Sequence, residues 1–222
     1  MRMVLFIVFV LCASKASAAC KHFFENGQCL TEGNFEVLKD VKFSDLRIKQ
    51  IQTDNRLFTE TRSCKNTAIF YELYGRINDD ARFALEKLYK SRTHCGRTEV
   101  LLFSEGGYLD EGIKIGEFFA KNLFTTMVIP NAECASSCAV AFLGGSMKKM
   151  VGNAELMFHA PYYKRIGGIN CVKSAPDLQN YYVRMLGQNA GDRLYTKTLS
   201  KCSDRDGWTV NKDAAQIYGI IK

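Results

Sequence analysis

From residue 67 onward, short apolar runs alternate with amphipathic stretches, and that alternation confines the chain to an α/β layer fold with parallel strand pairing. Ala68 to Tyr74 is a β-prone run ending at Gly75. Asp79-Asp80 can cap a helix carrying Phe83, Leu85, Leu88 and Tyr89. Glu99 to Phe103 reads as a buried strand. A Ser104-Glu105-Gly106-Gly107 turn follows, then a helix through Ile113, Ile115, Phe118 and Phe119. Phe124 to Ile129 is a further strand, ended by Pro130. Ser136 or Ser137 opens a short helix stopped by Gly144-Gly145. Glu155 to His159 is a strand ended by Pro161, Asp177 to about Lys197 one long helix, and Asp213 to Tyr218 a short one closed by Gly219.

Upstream of this pattern the chain has a different character. Arg2, an apolar run from Val4 to Ala13 and an Ala16-Ser17-Ala18 cleavage pattern read as a secretory signal peptide over residues 1–18. The run is too short for the ~20 apolar residues of a membrane span, so no stable span is expected. Residues 19–66 read as an N-terminal extension of a few strands, with alternation around Phe35 to Leu38 and Leu46 to Ile48, leaving 67–222 as the main α/β domain.

Export bears on the cysteines. Loss of residues 1–18 removes Cys12, so nine cysteines become an even eight, the number expected of a disulfide-bonded exported chain. Cys20–Cys29, closing a short loop, is the first candidate pair; Cys134 and Cys138, four apart, either pair locally or pair elsewhere. Metal chemistry has little support: there is no Cys-x2-Cys pair, and His22 and His94 lack a ligand-like partner. The formal charge of +7 has no basic run interleaved with aromatics, so it reads as a solvated surface without nucleic acid as partner.

Three places carry chemistry. At the Gly106-Gly107 turn, backbone N–H groups can approach a ligand oxygen without a Cβ in the way. Cys134-Ala135-Ser136-Ser137-Cys138 lies between a strand and a helix start, where small residues pack closely and N–H groups favour developing negative charge, although a serine there is often only a cap. His159 stands at a strand end, where α/β sheets present functional groups. A serine and a histidine in reach of one another suit nucleophilic catalysis. Tyr162 to Arg165 and Gly167-Gly168 form a basic, aromatic loop that either covers such a site or is plain surface.

The order strand, Ser-Glu-Gly-Gly, helix, strand, Ala-Ser-Ser-Cys-Ala, helix, Gly-Gly, Lys148-Lys149, strand, Phe-His-Ala-Pro resembles the proteolytic subunit of the Clp protease, whose signature runs S-P-G-G, A-A-S-M-G-A, I-H-Q-P. It is closer still to exported Clp-like proteins with a C-A-S-A-C-A type segment. The resemblance implies a ClpP/crotonase-like fold of repeated β-β-α units. Carried over by position, it implies Ser137 as nucleophile, His159 as base and Asp206 as the orienting acid, with Asp204 as rival. It further implies an oxyanion hole from Gly107 and Cys138, with Gly106 and Tyr108 at the substrate edge. Glu105 and Tyr108 depart from the family turn, which alters the groove that would hold a strand-like substrate.

The function so implied is an exported, ATP-independent serine hydrolase acting on peptides or unfolded protein segments, without cofactor, in a family that often assembles as a homo-oligomer. A catalytically weak binding or assembly module on the same fold is the alternative. Crotonase-like acyl-CoA chemistry ranks last, because an exported setting offers little CoA.

Overall fold

The computed structural model describes residues 35–42, 46–53, 68–91, 97–166 and 168–222. The signal-peptide reading, the Cys20–Cys29 pair, Cys64 and Cys95 lie outside them.

Six strands form the main sheet, in the order β1 (Phe35–Lys42), β2 (Leu46–Thr53), β3 (Ala68–Gly75), β4 (Arg97–Phe103), β5 (Thr125–Val128), β7 (Met147–Met150). The last four pair in parallel, as alternation with helices requires, while β2 pairs antiparallel with β3 and β1 antiparallel with β2. A second sheet has β8 (Glu155–Phe158) between β6 (Glu133–Ala135), parallel to it, and β11 (Trp208–Val210), antiparallel to it. Single bridges from Ser104 to Cys134 and from Ile77 to Gly107 join these layers beside the strand ends.

Helix α1 (Asp79–Lys90) is capped by Asn78, in extended conformation, whose Oδ1 accepts from Ala81 N at 2.9 Å; Asp79 and Asp80 stand in the first turn. Its buried face is Ala81, Ala84, Leu85 and Leu88. Phe83, expected on that face, is instead 57% exposed with the Arg82 guanidinium 4.1 Å over its ring. Helix α2 (Leu109–Lys121) presents Gly112 and Gly116, one turn apart, to α3 (Ser137–Phe142). A Cβ on Gly116 would lie 1.8 Å from the Tyr181 hydroxyl, and one on Gly144 would lie 2.0 Å from Gly116 O. Only glycines let these segments approach so closely.

The expected long helix is two helices, α4 (Pro176–Leu186) and α5 (Gln188–Leu199). Gly187, at φ +84°, breaks the run, and Gly191 lets α5 fold back on α4. Tyr181 and Tyr182 from α4 are fully buried. Burial pushes both phenols' pKa values up, Tyr181 also through the neighbouring Tyr182. The basic, aromatic loop is a hairpin of β9 (Tyr162–Arg165) and β10 (Gly168–Cys171), and α6 (Lys212–Ile217) closes the chain.

Around Phe124 the core is aromatic: its ring centroid lies 5.0 Å from Phe119, 5.6 Å from Phe118 and 5.3 Å from Tyr89. Among the described residues, no helix is long and apolar enough to cross a membrane.

Candidate functional site

A cleft of about 1400 Å³ opens where β3, β4, β6 and β8 end. Gly106, Gly107, Tyr108, Ser136, Ser137, His159 and Tyr162 all contribute to its walls. Both the turn and the histidine are thus brought to one place, at the strand ends where open α/β sheets bind ligands.

Local sequence dictates how. Ser104 N donates to Glu133 O and Ala135 N donates to Ser104 O, both at 2.9 Å, so the β4 end is sewn to β6. Ile77 N donates to Gly106 O and Tyr108 N donates to Ile77 O, both at 2.8 Å. These bonds clamp the residues on either side of Gly107, whose own N–H meets no acceptor among the described residues. Gly107 is obligatory: its φ is +156°, and a Cβ would fall 2.0 Å from Ile77 O. At Gly106, φ +100°, a Cβ would collide with Ala135 O and Ser136 Cβ, both at 2.7 Å.

After β6, Ser136 N donates to Met157 O at 2.7 Å, extending the β6–β8 ladder towards His159. The chain then turns into α3 in one residue. Ser136 takes φ +56° and ψ −122°, a conformation that a residue with a Cβ adopts at a cost of ~1–3 kcal/mol. Its side chain caps nothing. It is half-buried at the cleft wall and makes no hydrogen bond among the described residues.

The two serines differ in what they present to the cleft. Ser137 is 1% exposed, and its Oγ is out of contact with solvent and without a hydrogen-bond partner. It packs on α2, where a Cβ on Gly112 would lie 2.8 Å from Ser137 Cβ. Ser137 therefore belongs to the cleft wall without offering its hydroxyl to it. The hydroxyl at the strained turn is that of Ser136. Two adjacent serines leave the register of the Clp-like segment open by one residue. Setting Ala135 and Ala139 against the outer alanines of A-S-M-G-A aligns Ser136, not Ser137, with the serine of that pattern.

The backbone around the turn divides in the same way. Cys138 is fully buried and does not reach the cleft, whereas a Cβ on Gly106 would lie 3.1 Å from Ser137 N. As the first residue of α3, Ser137 has an N–H without an intrahelical acceptor. Ser137, with its free N–H, and Gly107 both line the cleft that Ser136 enters.

His159 is half-buried, with Nδ1 2.9 Å from Ala160 O and its ring 5.4 Å from that of Tyr162. A carbonyl only accepts, so in the neutral ring that contact places the proton on Nδ1 and leaves Nε2 basic. No hydrogen bond joins His159 to either serine among the described residues. Asp206 sits in a 3-10 turn (Asp204–Asp206) just before β11, beside the end of β8. Its carboxylate nevertheless turns outward: it is 60% exposed and accepts from Lys201 Nζ at 3.1 Å. The structure does not bring Asp206 onto His159.

Two disulfides are present among the described residues. Cys134–Cys138 brackets the serine pair with Cα atoms 5.1 Å apart, and Cys171–Cys202 ties the end of the hairpin to the segment before the 3-10 turn. The local pairing is thus the one formed. Among the described residues, no group of three or more His, Cys, Asp or Glu is placed to hold a metal ion.

No family model and no characterised protein sequence matches the chain. Among solved structures, a ClpP1 point mutant from Listeria monocytogenes is similar with a TM-score of 0.51 at 15% identity, over 68% of this chain and 88% of that one. The fold is ClpP-like. The ClpP catalytic domain from Plasmodium falciparum is similar at TM-score 0.47 and 22% identity, over 66% of this chain and 79% of that one. A membrane-bound stomatin-specific protease is similar at 0.46 and 16%, over 70% and 75%. Identities this low establish architecture and leave the chemistry to the residues of the cleft.

Proposed function

We propose that the protein is a serine hydrolase acting on peptides or unfolded segments, with Ser136 as nucleophile. The observation that carries this reading is the strained turn at Ser136, in a cleft that also holds His159 and the N–H groups of Gly107 and Ser137. Strain at a strand-to-helix turn is a recurrent way to present a nucleophilic hydroxyl. Ser136 Oγ would attack the scissile carbonyl while His159 Nε2 takes its proton, later returning it to the leaving amine. The N–H groups of Gly107 and Ser137 would hold the oxyanion. Ala160 O, in place of Asp206, would keep the imidazole in the required tautomer.

The open cleft admits an extended chain against the Gly106–Tyr108 edge, which supports a peptide as substrate. Export is supported by the N-terminal sequence and by the two disulfides. An exported enzyme has no cytosolic unfoldase to feed it, so its action is ATP-independent.

A fluorophosphonate tests this directly. Wild type should label, Ser137→Ala should label within a few-fold, and Ser136→Ala should not label. Undiminished labelling of Ser136→Ala would end the assignment. A second reading, a binding module with little catalysis, is favoured by the outward-turned Asp206 carboxylate. Its mark would be a folded protein that binds peptide and never labels.

A further inference from the structure

Strained turns revert unless something holds them, and the segment around Ser136 has an unusual holder. Cys134 and Ala135 are kept extended by the ladder to Leu156 and Met157 and by the Ser104 bridge. The next helix begins at Ser137. A five-residue extended stretch spans about 13 Å between its end Cα atoms, whereas Cys134 and Cys138 stand 5.1 Å apart. The full change of direction is therefore absorbed between β6 and α3, and Ser136 is the residue in the left-handed half of φ/ψ space. No side-chain hydrogen bond of Ser136 holds it there.

We infer that the Cys134–Cys138 disulfide is a positioning staple for the nucleophile, closing the two sides of the turn on Ser136 so that its hydroxyl stays presented to His159. The inference rests on the hydrolase reading for its catalytic consequence, but its structural half stands on the turn alone. Both cysteines are fully buried, so the bond is set during folding and shielded from casual reduction in the native state. Its formation removes two electrons and two protons from the paired thiols, which a thiol–disulfide oxidant must accept. A dithiol reductant reverses it, being oxidised itself while returning both thiols.

The test compares wild type, Cys134→Val/Cys138→Ala and, as control for losing a bond elsewhere, Cys171→Ala/Cys202→Ala. The readouts are fluorophosphonate kinetics, resolved into reagent affinity and maximal labelling rate, and hydrogen exchange of peptides covering residues 133–143. Loss of the staple should slow the maximal rate by about tenfold or more, the factor one strained residue can carry, with affinity nearly unchanged. Exchange of the turn should rise by a similar factor. The control should leave exchange of the turn within about threefold, the scatter expected of changes outside it, whatever it does to labelling through the segment carrying His159. Unchanged maximal rate together with unchanged exchange would overturn the inference.

Should the double variant not fold, wild type reduced under mild denaturant, with cleavage confirmed by mass spectrometry, gives the same comparison. A wild type that never labels, yet whose turn loosens on loss of the bond, would refute the hydrolase reading and support the staple. A wild type that labels equally well without the bond would do the opposite.

Discussion

Gly112→Ala tests the packing that fixes the serine pair. Gly112 lies inside α2, where alanine is the better helix former by about 1 kcal/mol. On propensity alone the variant should be more stable. The structure argues otherwise, because the new Cβ would stand 2.6 Å from Ser137 O, 2.8 Å from its Cβ and 3.0 Å from its Cα. Two of these are backbone atoms, which no rotamer change can move aside. Overpacking of this kind costs about 1–3 kcal/mol. With three such contacts the upper end applies, and the net loss should be about 2 kcal/mol. For a domain of this size that lowers Tm by roughly 4–8 °C. Relief requires α2 and α3 to separate, which displaces Ser136, so fluorophosphonate labelling should fall as well. Calorimetry and labelling on the same preparation give both numbers. An unchanged or raised Tm with normal labelling would refute the close contact between α2 and Ser137.

The outward turn of Asp206 predicts that Asp206→Asn changes labelling by less than about threefold, since the variant loses only an exposed ion pair; a loss near the ~10⁴-fold of a triad acid would restore it to that role. Glu111 is buried and bridges Arg82 at 2.6 Å and Lys114 at 2.7 Å. Burial alone would raise its pKa, but the hydrogen bonds from Lys114 and Arg82 outweigh it and the net direction is down. That stabilisation is therefore complete above the unfolded carboxyl's pKa of about 4.3 and fades as pH falls through and below it. Glu111→Gln should cost about 2 kcal/mol at pH 7 in urea titrations and flatten the loss on acidification. Tyr181→Phe removes the 3.0 Å bond to Val140 O and should cost about 1 kcal/mol, read as a lower urea midpoint at unchanged slope.

Much of the fold was legible because its signals are local. Apolar runs bounded by Gly75, Pro130 and Pro161 marked strands, and the pair Gly106-Gly107 marked a turn that the clash with Ile77 O now explains. Legibility failed where a tertiary contact decided the outcome. The break at Gly187 hides inside a run with helical periodicity on both sides. Phe83 has an apolar ring, yet it stays exposed beside the Arg82 guanidinium. His159 and Gly107 were singled out from their neighbours along the chain, and both line the cleft. Ser136 and Ser137 are chemically identical, and only the depth of α2 beneath one of them separates the two. Side-chain direction was the least readable feature: Asp206 sits beside the end of β8, yet its carboxylate faces outward and accepts from Lys201.

Val172 N donates to Pro161 O, and Ala160 N donates to Lys201 O, at 2.8 and 2.7 Å, next to the Cys171–Cys202 crosslink. The β-hairpin that overhangs the opening is thus welded at its root to the stretch carrying the imidazole. Hairpin and imidazole share one anchorage, so a displacement at that root reaches both at once.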